Sequence, residues 1–313
     1  MRIKLIVLSL IMIIISLQNC ATRPIQEEAL VPITLDNFEE PPSPERGEVV
    51  MRAMAEAYPN HIHSVERRNG DWAFILRDTW FYYADGKLLS EDQREEAENY
   101  RSLQFYRYPA ELPEWIPLSQ EQDERIRTRR RENAQNPTMR SSFLDVLWQS
   151  TNFADTEPQM VRIEFLGKNF QVHKFIHDIT MVVEAQIRAA ARADPVIQAW
   201  IDDLGTVASW GWRNIAASQS RSYHSYGIAL DFLPKVIGTR QTYWLWTIQH
   251  REDFWNVSYN ERYHPPAAVI RAFEANGFIW GGKWFNYDTM HFEYRPEILI
   301  LNGMPPAGRI TEN

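Results

Sequence analysis

The chain has 313 residues, room for one large domain or two small ones, and 44% of them are hydrophobic, enough for a true core. A formal charge of −8 at pH 7 argues against nucleic acid as a partner. Cys20 is the only cysteine, which excludes an internal disulfide.

Arg2 and Lys4 precede Leu5 to Leu17, an uncharged run whose length suits a signal peptide better than a membrane span. Leu17-Gln18-Asn19-Cys20 follows and is similar to a bacterial lipobox, with Asn19 where such signals usually carry Gly, Ala or Ser. The expectation is a signal peptide over residues 1–19 and a lipid on Cys20, giving an exported lipoprotein anchored in the cell envelope (periplasmic or outer face). Its removal takes away Arg2 and Lys4 and no acid, moving the charge from −8 to −10. Residues 20–44, with Pro24, Pro32, Pro41, Pro42 and Pro44, read as an extended tether.

Ser43-Pro44 opens a helix that Pro59 stops. Asn69-Gly70 and Asp85-Gly86 are hairpin signals, joining His61–Arg67 to Trp72–Arg77 and Trp80–Ala84 to Lys87–Leu89. Ser90 with Gln93, and Ser119 with Gln122, have capping-box spacing. The second pair precedes Asp123–Asn133, a charge run expected to be a solvated helix face. Residues 45–135 thus predict a small α+β module without evident chemistry. Substrate positioning, a partner contact and mere spacing are all open to it.

Residues 140–303 predict a second region. It holds a strand at Val161–Leu166, helices at Lys174–Arg192 and after Asp194-Pro195, and strands at Val207–Asn214 and Gly227–Phe232. A helix at Pro265–Ala275 and strands at Phe278–Trp280 and Met290–Tyr294 complete it. The expected class is α+β, a small antiparallel sheet flanked by helices, with no βαβ rhythm or phosphate loop.

The chemistry concentrates in Ser222-Tyr-His224-Ser-Tyr-Gly227-Ile-Ala229-Leu-Asp231. Read as a loop entering a strand, it puts Gly227, Ala229 and Asp231 on one face and Ile228, Leu230 and Phe232 on the other. Two minimal side chains beside a carboxylate clear space for a metal, and His224 can fold back over them. Imidazole and carboxylate are ordinary zinc ligands, and a catalytic zinc needs a third. Asp288-Thr-Met-His291-Phe-Glu293 offers His291, with Asp288 in the loop before it and Glu293 on the same strand face, read as strand surface or as a support to the ligand.

The pattern Ser-x-His-x-x-Gly-x-Ala-x-Asp, then Asp-x-Met-His-Phe-Glu, resembles the zinc D-Ala-D-Ala carboxypeptidase and L-alanyl-D-glutamate peptidase family over roughly residues 200–300, about a third of the chain. The resemblance implies a Hedgehog/DD-peptidase type of fold and zinc (Zn2+) on His224, Asp231 and His291. It implies Asp288 as the general base for a metal-activated water, and Arg213 as a group for a substrate carboxylate or developing oxyanion. The implied activity is hydrolysis of peptidoglycan stem peptides of the D,D-carboxypeptidase type. An L-alanyl-D-glutamate type endopeptidase, a zinc-binding but non-hydrolytic cell-wall module and a purely structural zinc are the alternatives. His173 and His177, four apart, are a rival pair that lacks the Glu of a metalloprotease helix and reads as packing or surface, and His61 and His63 read as surface. Trp280 and Trp284 lie close enough to Asp288 in sequence to edge a cleft.

Overall fold

The structure, a computed structural model, describes residues 44–84, 86–101, 105–135, 139–215 and 221–307. The signal-peptide, Cys20 and tether segments lie outside them, as does Asp85. Among the described residues no helix is long and apolar enough to cross a membrane.

Helix α1 (Pro44–Ala57) buries Val50, Met51, Met54 and Ala57, which recur on one face. A four-stranded antiparallel meander follows: β1 (Glu66–Arg68), β2 (Asp71–Leu76), β3 (Thr79–Ala84) and β4 (Lys87–Ser90). Asn69 and Gly70 both take positive φ, 51° and 90°, the conformation a two-residue hairpin with the twist of its strands demands. Helix α2 (Gln120–Gln135) starts at the expected box, where Ser119 and Gln122 exchange hydrogen bonds of 3.3 and 2.9 Å. It is more than a solvated face. Ile126 is buried among Phe254, Trp255, Phe285 and Tyr287, and Asp123 accepts the Trp255 indole N–H at 2.6 Å.

The second region opens with a hairpin, β5 (Met160–Phe165) and β6 (Lys168–His173), then α3 (His177–Ala191) and α4 (Pro195–Asp203), the latter capped by Asp194. Its sheet joins β7 (Leu204–Ala208), β8 (Ala229–Pro234), β9 (Phe278–Trp280) and β10 (His291–Tyr294) in the order β9-β10-β8-β7, all antiparallel. The architecture is α+β with small antiparallel sheets. Helix α5 (Ala267–Glu274) covers the apolar sheet face, where Phe273 stacks on Phe292 at 4.2 Å between ring centres. The other face of β8 and β10 carries Asp231, His291 and Glu293.

Two predicted strands beside the site have other bounds than expected. Val207–Asn214 stops being a strand at Ala208, because the Trp210 and Gly211 amides turn away to the carbonyls of Gln171 and His224 at 3.2 Å each. Gly227–Phe232 begins only at Ala229, because Gly227 is left-handed (φ 68°) and closes the one-turn helix that carries His224.

One body of buried apolar side chains runs from Val50 and Phe74 through Ile163 to Phe273 and Leu299. Helix α1 packs along the last helix, α6 (Pro296–Leu301). Tyr108, Asn302 and Lys283 stitch the same junction. The Tyr108 amide donates to Asn302 at 2.9 Å, its hydroxyl meets Glu274 and accepts the Trp280 amide, and Lys283 reaches the Ala110 carbonyl at 2.6 Å. Residues 44–110 are thereby packed onto the region that carries the site.

Candidate metal centre

Strand register sets the first pair. Asp231 on β8 lies directly opposite His291 on β10, and Ala229 lies opposite Glu293. The small Ala229 leaves Glu293 room beneath the imidazole. His224 enters from the preceding loop, which is held by Ser222 capping the His224 amide at 3.3 Å and by Arg221. Arg221 binds Asp145 at 2.8 Å and the Ser150 hydroxyl at 2.7 Å, sandwiched against Trp212 and Tyr226. Ser222 is thus a loop hydrogen-bonder.

The structure brings His224, Asp231 and His291 together, all buried, with one donor atom of each within 4.8 Å of the others. His224 Nε2 is 3.1 Å from Asp231 Oδ2 and 3.2 Å from His291 Nδ1, and His291 Nδ1 is 2.8 Å from Asp231 Oδ1. Ligand atoms around a tetrahedral zinc at 2.0–2.2 Å lie roughly 3.3–3.6 Å apart, close to this spacing.

The outer nitrogens decide what the inner ones offer. His224 Nδ1–H donates to the Ser209 carbonyl at 2.8 Å, and His291 Nε2–H donates to Glu293 Oε2 at 3.1 Å. Each neutral ring then turns a lone pair inward, toward a carboxylate. Two lone pairs and an anion aimed at one point call for a cation between them. The electrostatics agree: burial would raise the Asp231 carboxyl, but the two imidazoles hold it well below the usual range. Burial would lower His291, but Asp231 and Glu293 raise it well above the usual imidazole value, so without a metal a proton on Nδ1 takes the cation's place between the ring and Asp231. The donor set therefore fits zinc.

Asp288 follows Tyr287 in a loop whose backbone is pinned, with its amide on the Gly281 carbonyl at 3.0 Å and its carbonyl accepting from the His291 amide at 3.2 Å. Its Oδ1 is cut off from solvent and has no hydrogen-bond partner among the described residues. Burial raises its pKa, Asp231 adding to the rise and His291 opposing it. Arg213 lies on the exposed side, 52% accessible, with its guanidinium 3.8 Å from Asp231 Oδ2. It is held by its loop rather than by a strand, its amide donating to Ser225 Oγ at 2.9 Å.

Residues 216–294 match the family model described as D-alanyl-D-alanine carboxypeptidase. The match covers about a quarter of the chain and contains His224, Asp231, Asp288 and His291, but not Arg213. Residues 50–105 match the model of a domain of unknown function. No curated protein and no solved structure matches the chain.

Two contributors to the site carry no sequence signal of their own. The Ser209 carbonyl is a backbone group in a segment expected to be strand. Tyr243 is paired through its backbone with Asp288 and is pushed up to about 12 by burial and by Asp288 and Asp231, yet it precedes the motif by more than forty residues. Glu293 is 3% exposed, so it is a buried support of His291 and not strand surface. Trp284 packs its ring 5.5 Å from that of His291 and edges the site, whereas Trp280 is core, its indole N–H on the Thr289 carbonyl at 2.8 Å.

The rival pair is not a site. His173 is wholly buried, donating through Nε2 to the Trp148 carbonyl at 3.0 Å and accepting the Phe175 amide at Nδ1, while the exposed His177 pairs with Asp178. Burial lowers His173 to about 4. A folded value below the unfolded 6.5 means that the native state binds fewer protons between those limits. Stability attributable to His173 is therefore complete above pH 6.5 and falls by about 3 kcal/mol as pH drops to 4. Urea unfolding of the protein and of His173→Gln at pH 7 and pH 4.5 should show the smaller pH dependence in the variant.

Proposed function

We propose that the chain is a zinc peptidase of the D,D-carboxypeptidase type that acts on peptidoglycan stem peptides. The observation that carries this reading is the inward convergence of His224 Nε2, Asp231 and His291 Nδ1, with Asp288 and Arg213 beside them, in the segment that matches the carboxypeptidase model.

His224, Asp231 and His291 would hold the metal, which supplies a Lewis acid for the scissile carbonyl and for water. Asp288 takes the proton of the attacking water on Oδ1, which has no hydrogen-bond partner among the described residues, and returns it to the leaving amine. Arg213, half-exposed and only loosely paired, is free to turn its fork toward the terminal carboxylate of a peptide or toward charge developing on the carbonyl oxygen. Glu293 and Ser209 keep both imidazoles in one tautomer throughout. The leader-like N-terminus supports export and lipid attachment at Cys20, which the mass of the mature N-terminal peptide would reveal.

The test is to incubate the purified protein with a stem pentapeptide ending in D-Ala-D-Ala and follow the products by mass spectrometry. Release of one D-alanine, lost on chelation and regained with zinc, is the expected result. Internal cleavage products would favour the L-alanyl-D-glutamate endopeptidase reading. Stoichiometric zinc without any cleavage would favour a non-hydrolytic binding module, and cleavage that persists under chelation would remove the metal from the mechanism.

A further inference from the structure

Among the described residues of 44–110, Tyr58 and Tyr106 lie against the buried charges behind the metal site. Tyr58, at the end of α1, donates its hydroxyl to Glu297 Oε2 at 2.8 Å, across 239 residues of sequence. Glu297 Oε1 accepts from Arg295 Nε. Arg295 Nη1 lies 3.6 Å from Glu293 Oε1, and Glu293 Oε2 accepts from His291 Nε2 at 3.1 Å. Arg295 Nη1 also donates to the Tyr223 hydroxyl at 2.7 Å, and Tyr223 is the residue before His224. Arg295, Glu293 and Glu297 are 2%, 3% and 1% exposed. The guanidinium thus sits between two carboxylates away from water and touches both ligand-bearing segments.

We infer that Tyr58 is a positioning residue for the metal centre, one contribution of the N-terminal region to the site, acting through Glu297, Arg295 and Glu293 on His291. The inference rests on the metal-site reading above. The physical case is one of geometry. A planar guanidinium can serve Glu293 and Tyr223 together only if its orientation is fixed. Glu297, whose second oxygen is held by Tyr58, is the strongest of the charges that hold it, with Tyr106 also close to the guanidinium. Without the Tyr58 hydroxyl, Glu297 keeps a buried oxygen unsatisfied and turns, Arg295 follows, and Glu293 loses its hold on the imidazole N–H. Carboxylates that orient a metal-binding histidine in this way typically matter by 10–100-fold in metal affinity. A group two links further out should matter less.

The experiment is a zinc competition titration against a chromophoric chelator on the full chain, for the unaltered protein, Tyr58→Phe, Glu293→Gln and the double variant. Tyr294→Phe serves as control, since it removes from β10 a buried hydroxyl without a hydrogen-bond partner among the described residues. Glu293→Gln is expected to weaken zinc binding roughly 10–100-fold and Tyr58→Phe about 3–10-fold, with Tyr294→Phe unchanged. In the double variant Tyr58→Phe should add almost nothing to Glu293→Gln, because the link it acts through is gone. Full multiplication of the two effects overturns the inference, as does a Tyr58→Phe variant that melts earlier yet binds zinc like the unaltered chain. If the unaltered protein takes up no zinc, the metal-site reading itself falls and this one with it, an outcome distinct from the other two.

Discussion

On the proposed carboxypeptidase reading, Asp288→Asn is expected to slow D-alanine release by roughly 10²- to 10⁴-fold, the usual worth of a positioned general acid–base group, while leaving zinc content and fold intact. The substitution keeps the size of the side chain and removes only its ability to take a proton. Asp288 is outside the group of three converging ligands, so metal uptake does not depend on it. Its Oδ1 has no hydrogen-bond partner among the described residues, so the amide breaks no bond there. Turnover on the stem pentapeptide, measured beside metal analysis of the same sample, separates the two roles. A variant that keeps activity within a few-fold would show that the proton goes elsewhere, and one that loses its zinc would make Asp288 a ligand.

Gly227→Ala should be the most damaging small substitution near the site, at about 2–5 kcal/mol. A side chain at φ 68° costs roughly 1–2 kcal/mol. A Cβ there would also stand 2.5 Å from Met160 Sδ and 2.8 Å from the His173 backbone nitrogen. The methionine can yield, but the amide cannot, because it is hydrogen-bonded to the Gly227 carbonyl at 2.8 Å. Overpacking of this kind adds about 1–3 kcal/mol. Against a total stability of roughly 5–15 kcal/mol this is a large share. Denaturant unfolding should show the loss as a lower midpoint, and zinc affinity should fall too, since Gly227 closes the turn that presents His224. An unchanged midpoint would mean that the hairpin of Met160 and His173 shifts freely.

Gly227 illustrates where local reading of the motif succeeds and where it stops. Its identity is required, but for a left-handed turn under a neighbouring hairpin, not for a cleared strand face as alternation suggests. Ala229 is small for the expected kind of reason, leaving space on the metal side, although the space is taken by Glu293. Arg213 reaches the cleft, yet by way of a loop pinned to Ser225, because the strand that would have aimed it ends at Ala208.

By itself the sequence determined what short-range physics controls. Capping residues and Pro or Gly stops set α1, α2 and α4, turn residues set the β1–β2 hairpin, and residue type and spacing marked His224, Asp231 and His291 as candidate metal ligands with Asp288 nearby in sequence. The tertiary structure alone decided which ring nitrogens face inward, since that depends on the Ser209 carbonyl and Glu293 as acceptors. It alone placed Arg295 between two buried carboxylates and brought Tyr58 to the far end of that chain. Those contacts join residues up to 239 positions apart. What holds them is the mutual attraction and hydrogen bonding of charged groups in a water-poor interior, which offsets the cost of taking those groups out of water and which no local pattern of residues encodes.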